Sequence, residues 1–267
     1  MRLSDKSDWN SLYTASRREL ISDEYKRIYC RDTNITRLLD RFAEKIGDNI
    51  ASQNLIELGS APGGNLVYMQ QKYACEPWGV EYTEEGVGLN RYLFESFNIS
   101  SNNIFHLDLF DVQESGLAEK FDNLISFGVI EHFEEPEKLI ENHLQWVRPG
   151  GKVLIVIPNL QFMYLTWNKI FNNEIVKIHN INLIKNDNLF RIASRVTNIK
   201  IIEKGYFGSF DYGLLTHTNQ FLARAMISIL YRSKKVYQPI LDKLFKNAKL
   251  ISPYQYLIIE KDDVTYN

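Results

Sequence analysis

Leu55-Ile56-Glu57-Leu58-Gly59-Ser60-Ala61-Pro62-Gly63-Gly64-Asn65 is a short apolar run that breaks into a glycine-rich turn, and a helical pattern opens at Leu66. A strand, a turn of this kind and a helix together let an α/β sheet present backbone to a nucleotide-like ligand at the carboxyl edge of its first strand. Gly59, Gly63 and Gly64 supply positive φ and carry no Cβ, and Ala61 is the next smallest residue. By itself such a stretch is often just a turn. Two neighbours narrow the reading. Glu57 stands at the strand tip, where it would repel a pyrophosphate at contact distance by on the order of a kcal/mol. Pro62 removes one N–H and weakens the loop as an anion nest. The expected ligand is cationic or zwitterionic, with an amino group for Glu57, rather than a nicotinamide dinucleotide.

Working outward, strands and helices alternate from residue 54, which predicts parallel strands joined by right-handed crossovers. Strands are expected at about 54–58, 76–81, 103–107, 121–126 and 152–157. The near-continuous apolar run Val153-Leu154-Ile155-Val156-Ile157 suits a strand covered on both faces. Three of these strands end on a carboxylate: Glu57, Glu81 and Asp108. In a doubly wound sheet their tips line one crevice, so three acceptors far apart in sequence converge on one ligand. A carboxylate at the second tip can accept both hydroxyls of a ribose, and one at the third can accept from an adenine amino group. Taken singly, Glu81 or Asp108 could equally cap the helix that follows.

The chain has 267 residues, 45% of them hydrophobic and 24% charged, with a formal net charge of -2. That is one ordinary globular domain with appendages, and its balance gives no global reason to expect nucleic acid as a partner. Cys30 and Cys75 have no metal-knuckle or redox spacing and read as small buried residues of a reducing compartment. The first eight residues are too charged for a signal peptide, and no apolar run approaches the ~20 residues of a membrane span. The expected location is cytoplasmic.

Before the first strand, Trp9, Tyr13, Leu20, Ile21, Tyr25, Ile28 and Tyr29 recur at near-helical spacing. Ile35, Leu38, Leu39, Phe42 and Ile46 mark a cleaner helix, with Asp32 or Thr33 to cap it and Gly47 to end it. Residues 1–49 are therefore expected to form a helical cap, 50–160 a ligand-binding core, and 161–267 the remainder of the same domain on the acceptor side. In that remainder residues 186–197 look helical, and Ile199 to Tyr206 and Tyr254 to Glu260 read as two last strands. Between those strands Asn219 to about Leu250 forms a helical insert. Its Arg224, Arg232, Lys234, Lys235, Lys243, Lys246 and Lys249 are either a solvated face or a patch for anionic lipid or a phosphorylated acceptor.

The set resembles the class I S-adenosylmethionine-dependent methyltransferases over about residues 50 to 160. It is carried by Glu57-Leu58-Gly59-Ser60-Ala61-Pro62-Gly63-Gly64, Gly79-Val80-Glu81, Leu107-Asp108, Gly128-Val129-Ile130-Glu131-His132-Phe133, and Val147-Arg148-Pro149-Gly150-Gly151-Lys152 leading to Ile157-Pro158-Asn159. The resemblance implies an α/β, doubly wound, seven-stranded, mostly parallel sheet whose last strand inserts antiparallel. It implies S-adenosyl-L-methionine as cofactor, held by Glu57, Gly59, Ser60, Ala61, Gly63, Gly64 and Asn65, by Glu81 and Tyr82, by Asp108 and Leu109, and by Phe127 and Gly128. The fourth-strand segment is similar to that of ubiquinone-biosynthesis and sugar O-methyltransferases. Ser252-Pro253-Tyr254 resembles the last strand of surface-polysaccharide enzymes. Gly128 stands where some quinone-pathway relatives carry an acidic residue that joins a metal site, so no metal is assigned.

Methyl transfer needs a positioned acceptor, dry surroundings and, for a hydroxyl, a proton acceptor. His132, just past the fourth strand, is the candidate general base, with Glu131 orienting it or the acceptor; packing or capping of the helix that starts there is the alternative use of both. His179 is the next candidate histidine. Tyr164, Trp167, Tyr206, Phe207, Phe210 and Tyr212 could stack on a ring or simply fill a core. The expected acceptor is a small molecule, a hydroxyl of a sugar or glycan precursor, with a quinone or lipid acceptor, or a non-catalytic partner domain, as the alternatives.

Overall fold

The apolar runs fold as strands in the order the alternation predicts. The computed structural model describes residues 2–20, 33–216, 218 and 220–263. Cys30, His217, Asn219, Asp32 and the helical spacing proposed for residues 21–29 lie outside them. Strands β1 (Asn54–Leu58), β2 (Glu76–Glu81), β3 (Ile104–His106), β4 (Phe121–Phe127), β5 (Val147–Pro158), β6 (Ile199–Phe207) and β7 (Tyr254–Lys261) form one seven-stranded sheet. Its order is β3-β2-β1-β4-β5-β7-β6. β1 to β5 pair in parallel, and β7 slots antiparallel between β5 and β6. The chain direction across the sheet reverses between β1 and β4, which opens a crevice at their carboxyl ends.

Side chains alternate across the strands, as the pleat requires. Ile56, Leu58, Val153, Ile155 and Ile157 pack on one face with Trp146. Leu55, Leu154 and Val156 pack on the other with Leu38, Leu39, Phe42 and Leu66. Both faces are covered, and for that reason β5 shows no polar alternation.

The helix before β1, α2 (Asn34–Ile46), starts at Thr33, whose hydroxyl accepts from Thr36 N at 3.1 Å while Thr36 Oγ1 accepts from Thr33 N at 2.9 Å. Gly47 ends it with φ 93. The more N-terminal helix, α1 (Lys6–Leu20), lies toward α4 (Glu84–Ser96). The preceding segment is pinned to the site: Leu3 N donates to the His132 carbonyl at 2.8 Å, and Arg2 bridges Phe133.

Three boundaries differ from the sequence reading. β3 is shorter than 103–107. β5 begins at Val147 rather than Lys152, because Val147 already pairs with Phe121 and the Arg148-Pro149-Gly150-Gly151 turn, with Gly150 at φ 73, is taken into the strand as a register shift against β4. The helix within 186–197 covers only Asn188–Ala193. The insert is one helix, Phe221–Phe245, of which Ala223 alone is buried. It leaves Phe221, Leu222, Ile229, Tyr231, Val236, Ile240 and Leu244 exposed beside its basic residues. Among the described residues no helix is long and apolar enough to cross a membrane.

Candidate active site

Glu57 and Glu81 end neighbouring parallel strands, and Asp108 follows β3 by two residues, so all three carboxylates meet at one edge of the sheet. Glu57 is buried; Asn65 Nδ2 donates to its Oε1 at 2.7 Å and its Oε2 has no hydrogen-bond partner. Burial pushes its carboxyl up to about 8, Asn65 opposes that, and the Glu81 charge adds to it. Glu81 is buried as well, and desolvation raises its pKa against the hydrogen bonds it accepts. Its Oε1 accepts from Thr83 N at 2.8 Å and Thr83 Oγ1 at 2.6 Å, so part of its capacity fastens the start of α4. Asp108 accepts from Phe110 N at 3.1 Å and is ion-paired with Arg2.

Gly59, Ala61, Glu81, Tyr82, Leu109, Phe127, Gly128 and His132 line one cavity at this edge, while Glu57 and Asp108 are not among its lining residues. The loop residues around it divide. Ser60 Oγ accepts from Asn90 Nδ2 at 2.6 Å behind the cavity, and Gly63 holds the left-handed N-cap of α3 (Gly64–Tyr73). Gly64 and Asn65 line a neighbouring pocket with Tyr68. A Cβ on Gly59 would stand 2.8 Å from Val129 Cγ2, so the floor of the cavity has no room for a larger residue there.

The sequence predicts a helical cap before the first strand but assigns none of its side chains to the site. Arg2, Ser4, Trp9 and Tyr13 line the same cavity. The Arg2 guanidinium stands 4.8 Å from the centroid of the Tyr82 ring and 5.6 Å from that of Phe133. The cavity measures about 140 Å³, below the ~300 Å³ of a usual ligand site. The signal was present as the Trp9–Tyr13 spacing, but nothing in it says over which edge the helix lies.

Past Gly128 the cavity meets a second one, of about 450 Å³. Ser4, Trp9, Phe127, Gly128 and His132 are common to both. Leu12, Ile35, Val156, Leu160, Ile178, Leu214 and Tyr254 make most of the second cavity apolar; Glu131, His132 and His179 form a polar corner, and Ser4 and Asp8 add polar wall. His132 Nδ1 lies 2.8 Å from the Ile178 carbonyl, which accepts from it and fixes the tautomer; this carbonyl, rather than Glu131, orients the ring. Burial, with His179 beside it, pushes His132 down to about 3, so the imidazole is neutral. Glu131 is fully buried, neither carboxylate oxygen has a partner, and burial pushes it up to about 8.

The other sequence candidates fall elsewhere. Tyr164 stacks on Phe210 at 6.1 Å in the core, and none of Tyr164, Trp167, Tyr206, Phe207, Phe210 and Tyr212 lines either cavity. The aromatic walls are instead Trp9, Tyr13, Tyr82, Phe127 and Phe133 in the first cavity and Trp9, Phe127 and Tyr254 in the second. His143 is buried in α5 (Pro136–Trp146), His106 is exposed, and Cys75 is a buried free thiol pushed up to about 12 by desolvation.

An acid-tipped crevice at the switch point of a seven-stranded sheet with one antiparallel strand defines a class I methyltransferase. The chain belongs to the methyltransferase-domain family, whose match covers residues 25–197. It is 28% identical over 117 residues to phosphoethanolamine N-methyltransferase 1 of Triticum aestivum, a stretch covering 43% of this chain and 22% of that enzyme. The fold is similar to that of a SAM-dependent methyltransferase from Archaeoglobus fulgidus, at TM-score 0.51 and 17% identity, covering 85% of this chain and 94% of that one. It is similar also to Haemonchus contortus phosphoethanolamine N-methyltransferase 2 in complex with S-adenosyl-L-methionine, at TM-score 0.52 and 15% identity, covering 85% and 53%. S-adenosyl-L-methionine is the cofactor of this domain. The orphaned Glu57 Oε2 fits it, since an ammonium is the partner that a buried, unpaired carboxylate oxygen lacks.

Proposed function

We propose that this protein transfers a methyl group from S-adenosylmethionine to a hydroxyl of a small acceptor whose body is largely apolar and which sits in the 450 Å³ cavity. The observation that carries the reading is the junction itself: the cofactor crevice meets, at Gly128 and His132, a mainly apolar chamber that is polar at Ser4, Asp8 and the Glu131, His132 and His179 corner. The cofactor supplies an electrophilic methyl on a sulfonium that loses its charge on transfer. The chain positions the acceptor in line and keeps water out, with Trp9 and Phe127 closing the junction. Glu57 holds the amino end, Glu81 the ribose and Asp108 the adenine edge. His132, neutral and with Nε2 as its remaining lone pair, accepts the hydroxyl proton at the Glu131 corner.

A sugar or glycan hydroxyl, the acceptor class expected from the sequence, is the second reading. Trp9 favours it, since an indole face can carry a sugar ring, and Ser4 and Asp8 can meet one or two further hydroxyls, but Val156, Ile157 and Leu160 leave the rest without partners. An acceptor of the quinone or lipid type meets the same walls with apolar surface. It also suits the Phe221–Phe245 helix, whose Tyr231 packs on Tyr212 at 5.8 Å, next to the Leu214 wall, and which we propose makes peripheral contact with anionic membrane surfaces.

The test is binding and turnover together. S-adenosylhomocysteine should bind saturably by calorimetry, and Gly59→Arg should abolish it. His132→Ala should keep cofactor affinity and lose turnover; full activity in that variant would remove His132 from the mechanism.

A further inference from the structure

We propose that Glu131, His132 and His179 bind a divalent transition-metal ion at the acceptor end of the site. The three come from two separate elements: Glu131 and His132 from the turn after β4, His179 from the segment after β5. One ligand atom from each lies within 4.8 Å of the other two. The imidazole rings are 4.5 Å apart between centroids.

The chemistry of the three groups converges. His132 Nδ1 donates to the Ile178 carbonyl at 2.8 Å, and His179 Nδ1 donates to the Ile175 carbonyl at 2.7 Å. Each ring thereby carries its remaining lone pair on Nε2, the tautomer a metal-ligating histidine takes when a backbone carbonyl anchors its other nitrogen. Between them stands a carboxylate that is fully buried and whose two oxygens accept from nothing. A buried carboxyl without hydrogen-bond donors is held neutral by a proton or compensated by a cation, and the two imidazole nitrogens facing it favour a cation shared by all three. Two imidazole nitrogens and one carboxylate oxygen select Zn²⁺, Mn²⁺, Fe²⁺ or Co²⁺ over Mg²⁺ and Ca²⁺, which take oxygen sets. Atoms bound at ~2.1 Å to one ion stand about 3 to 3.5 Å apart, so the side chains draw in by about 1 Å on binding.

Three protein ligands facing a cavity of about 450 Å³ leave coordination positions open toward the acceptor. In this role the Nε2 lone pair of His132 goes to the ion, which replaces the base role proposed above: the ion polarises the acceptor oxygen, and the hydroxyl proton passes to the Glu131 oxygen that the ion leaves free. The set is distinct from one built on an acidic residue at position 128, since that position is Gly128 and the third ligand lies 47 residues after His132. The inference rests on reading the second cavity as the acceptor site, and its test is independent of that reading.

Chelator-treated full-length protein is titrated with Co²⁺ and Zn²⁺, with calorimetry for stoichiometry and the visible Co²⁺ spectrum for coordination. We expect one ion per chain, at least a tenfold loss of affinity in both Glu131→Gln and His179→Ala, and no change in His106→Ala. S-adenosylhomocysteine binding in the same variants reports that the fold is kept. No stoichiometric ion, or an ion whose affinity neither variant changes, overturns the proposal and leaves a shared proton between the three groups. Methyl transfer undiminished after chelation counts against the ion and leaves the methyltransferase reading intact. Stoichiometric binding with no transfer to any acceptor upholds the ion and overturns that reading.

Discussion

Asn65 Nδ2 donates to Glu57 Oε1 at 2.7 Å, and the second oxygen of Glu57 is left buried and unpaired. The carboxylate is thus oriented but unsatisfied. Glu57→Gln should weaken S-adenosylhomocysteine binding by about 10- to 100-fold, the worth of one charge-assisted hydrogen bond of ~1.5–3 kcal/mol. Glu57 also sets a pH dependence. Its carboxyl is raised to about 8 without ligand, so it is protonated below that pH, and pairing with an ammonium releases the proton. Affinity should therefore rise by up to about tenfold per pH unit between pH 6 and 8. Calorimetry in buffers of different ionisation enthalpy would read the released proton; Glu57→Gln should show neither effect.

Arg2 roofs the crevice through its ion pair with Asp108 and its place over Tyr82, where the adenine edge of the cofactor is proposed to lie. Its side chain must move when the cofactor enters a space of about 140 Å³. Removing both contacts forgoes about 1 kcal/mol of competition. Arg2→Ala should bind S-adenosylhomocysteine about fivefold more tightly. Weaker binding in this variant would place Arg2 among the residues that hold the cofactor.

Gly63 holds φ 100, and a Cβ there would lie 2.3 Å from Asn90 Oδ1. Gly63→Ala combines left-handed strain with a clash against a buried side chain that already donates to Ser60. Thermal unfolding should show a loss of about 2 kcal/mol, a fall in Tm of about 4–8 °C. An unchanged Tm would mean the turn relaxes freely.

The Phe221–Phe245 helix should carry the protein onto vesicles of phosphatidylglycerol and leave it in solution with phosphatidylcholine alone. Each Lys or Arg at such a surface contributes about 1 kcal/mol, so Lys234→Glu with Lys235→Glu should cut sedimentation at least tenfold. Equal sedimentation with neutral vesicles, or none with either, would contradict the membrane contact.

Much of the core was legible in the sequence because its signals are local. The glycine turn, the strand-end carboxylates and the apolar strands each obey a short-range rule, and the sheet then brings Glu57, Glu81 and Asp108 together. What was not legible depends on packing between distant segments. That Arg2 reaches Asp108, that Trp9 stands over His132 at 5.0 Å between ring centroids, and that His179 comes back to His132 are decided by how the flanking helices settle on the sheet edge. The aromatic cluster misled for the same reason. Tyr164 and Phe210 carry no mark that separates a core ring from a cavity wall.

The central claim is tested most directly by incubating the protein with methyl-labelled S-adenosylmethionine and a panel of hydroxyl acceptors, both nucleotide sugars and phenolic or lipid alcohols. The account predicts label in an apolar small molecule, dependent on His132 and abolished by Gly59→Arg. Label in no acceptor, or label that survives in Gly59→Arg, would contradict it.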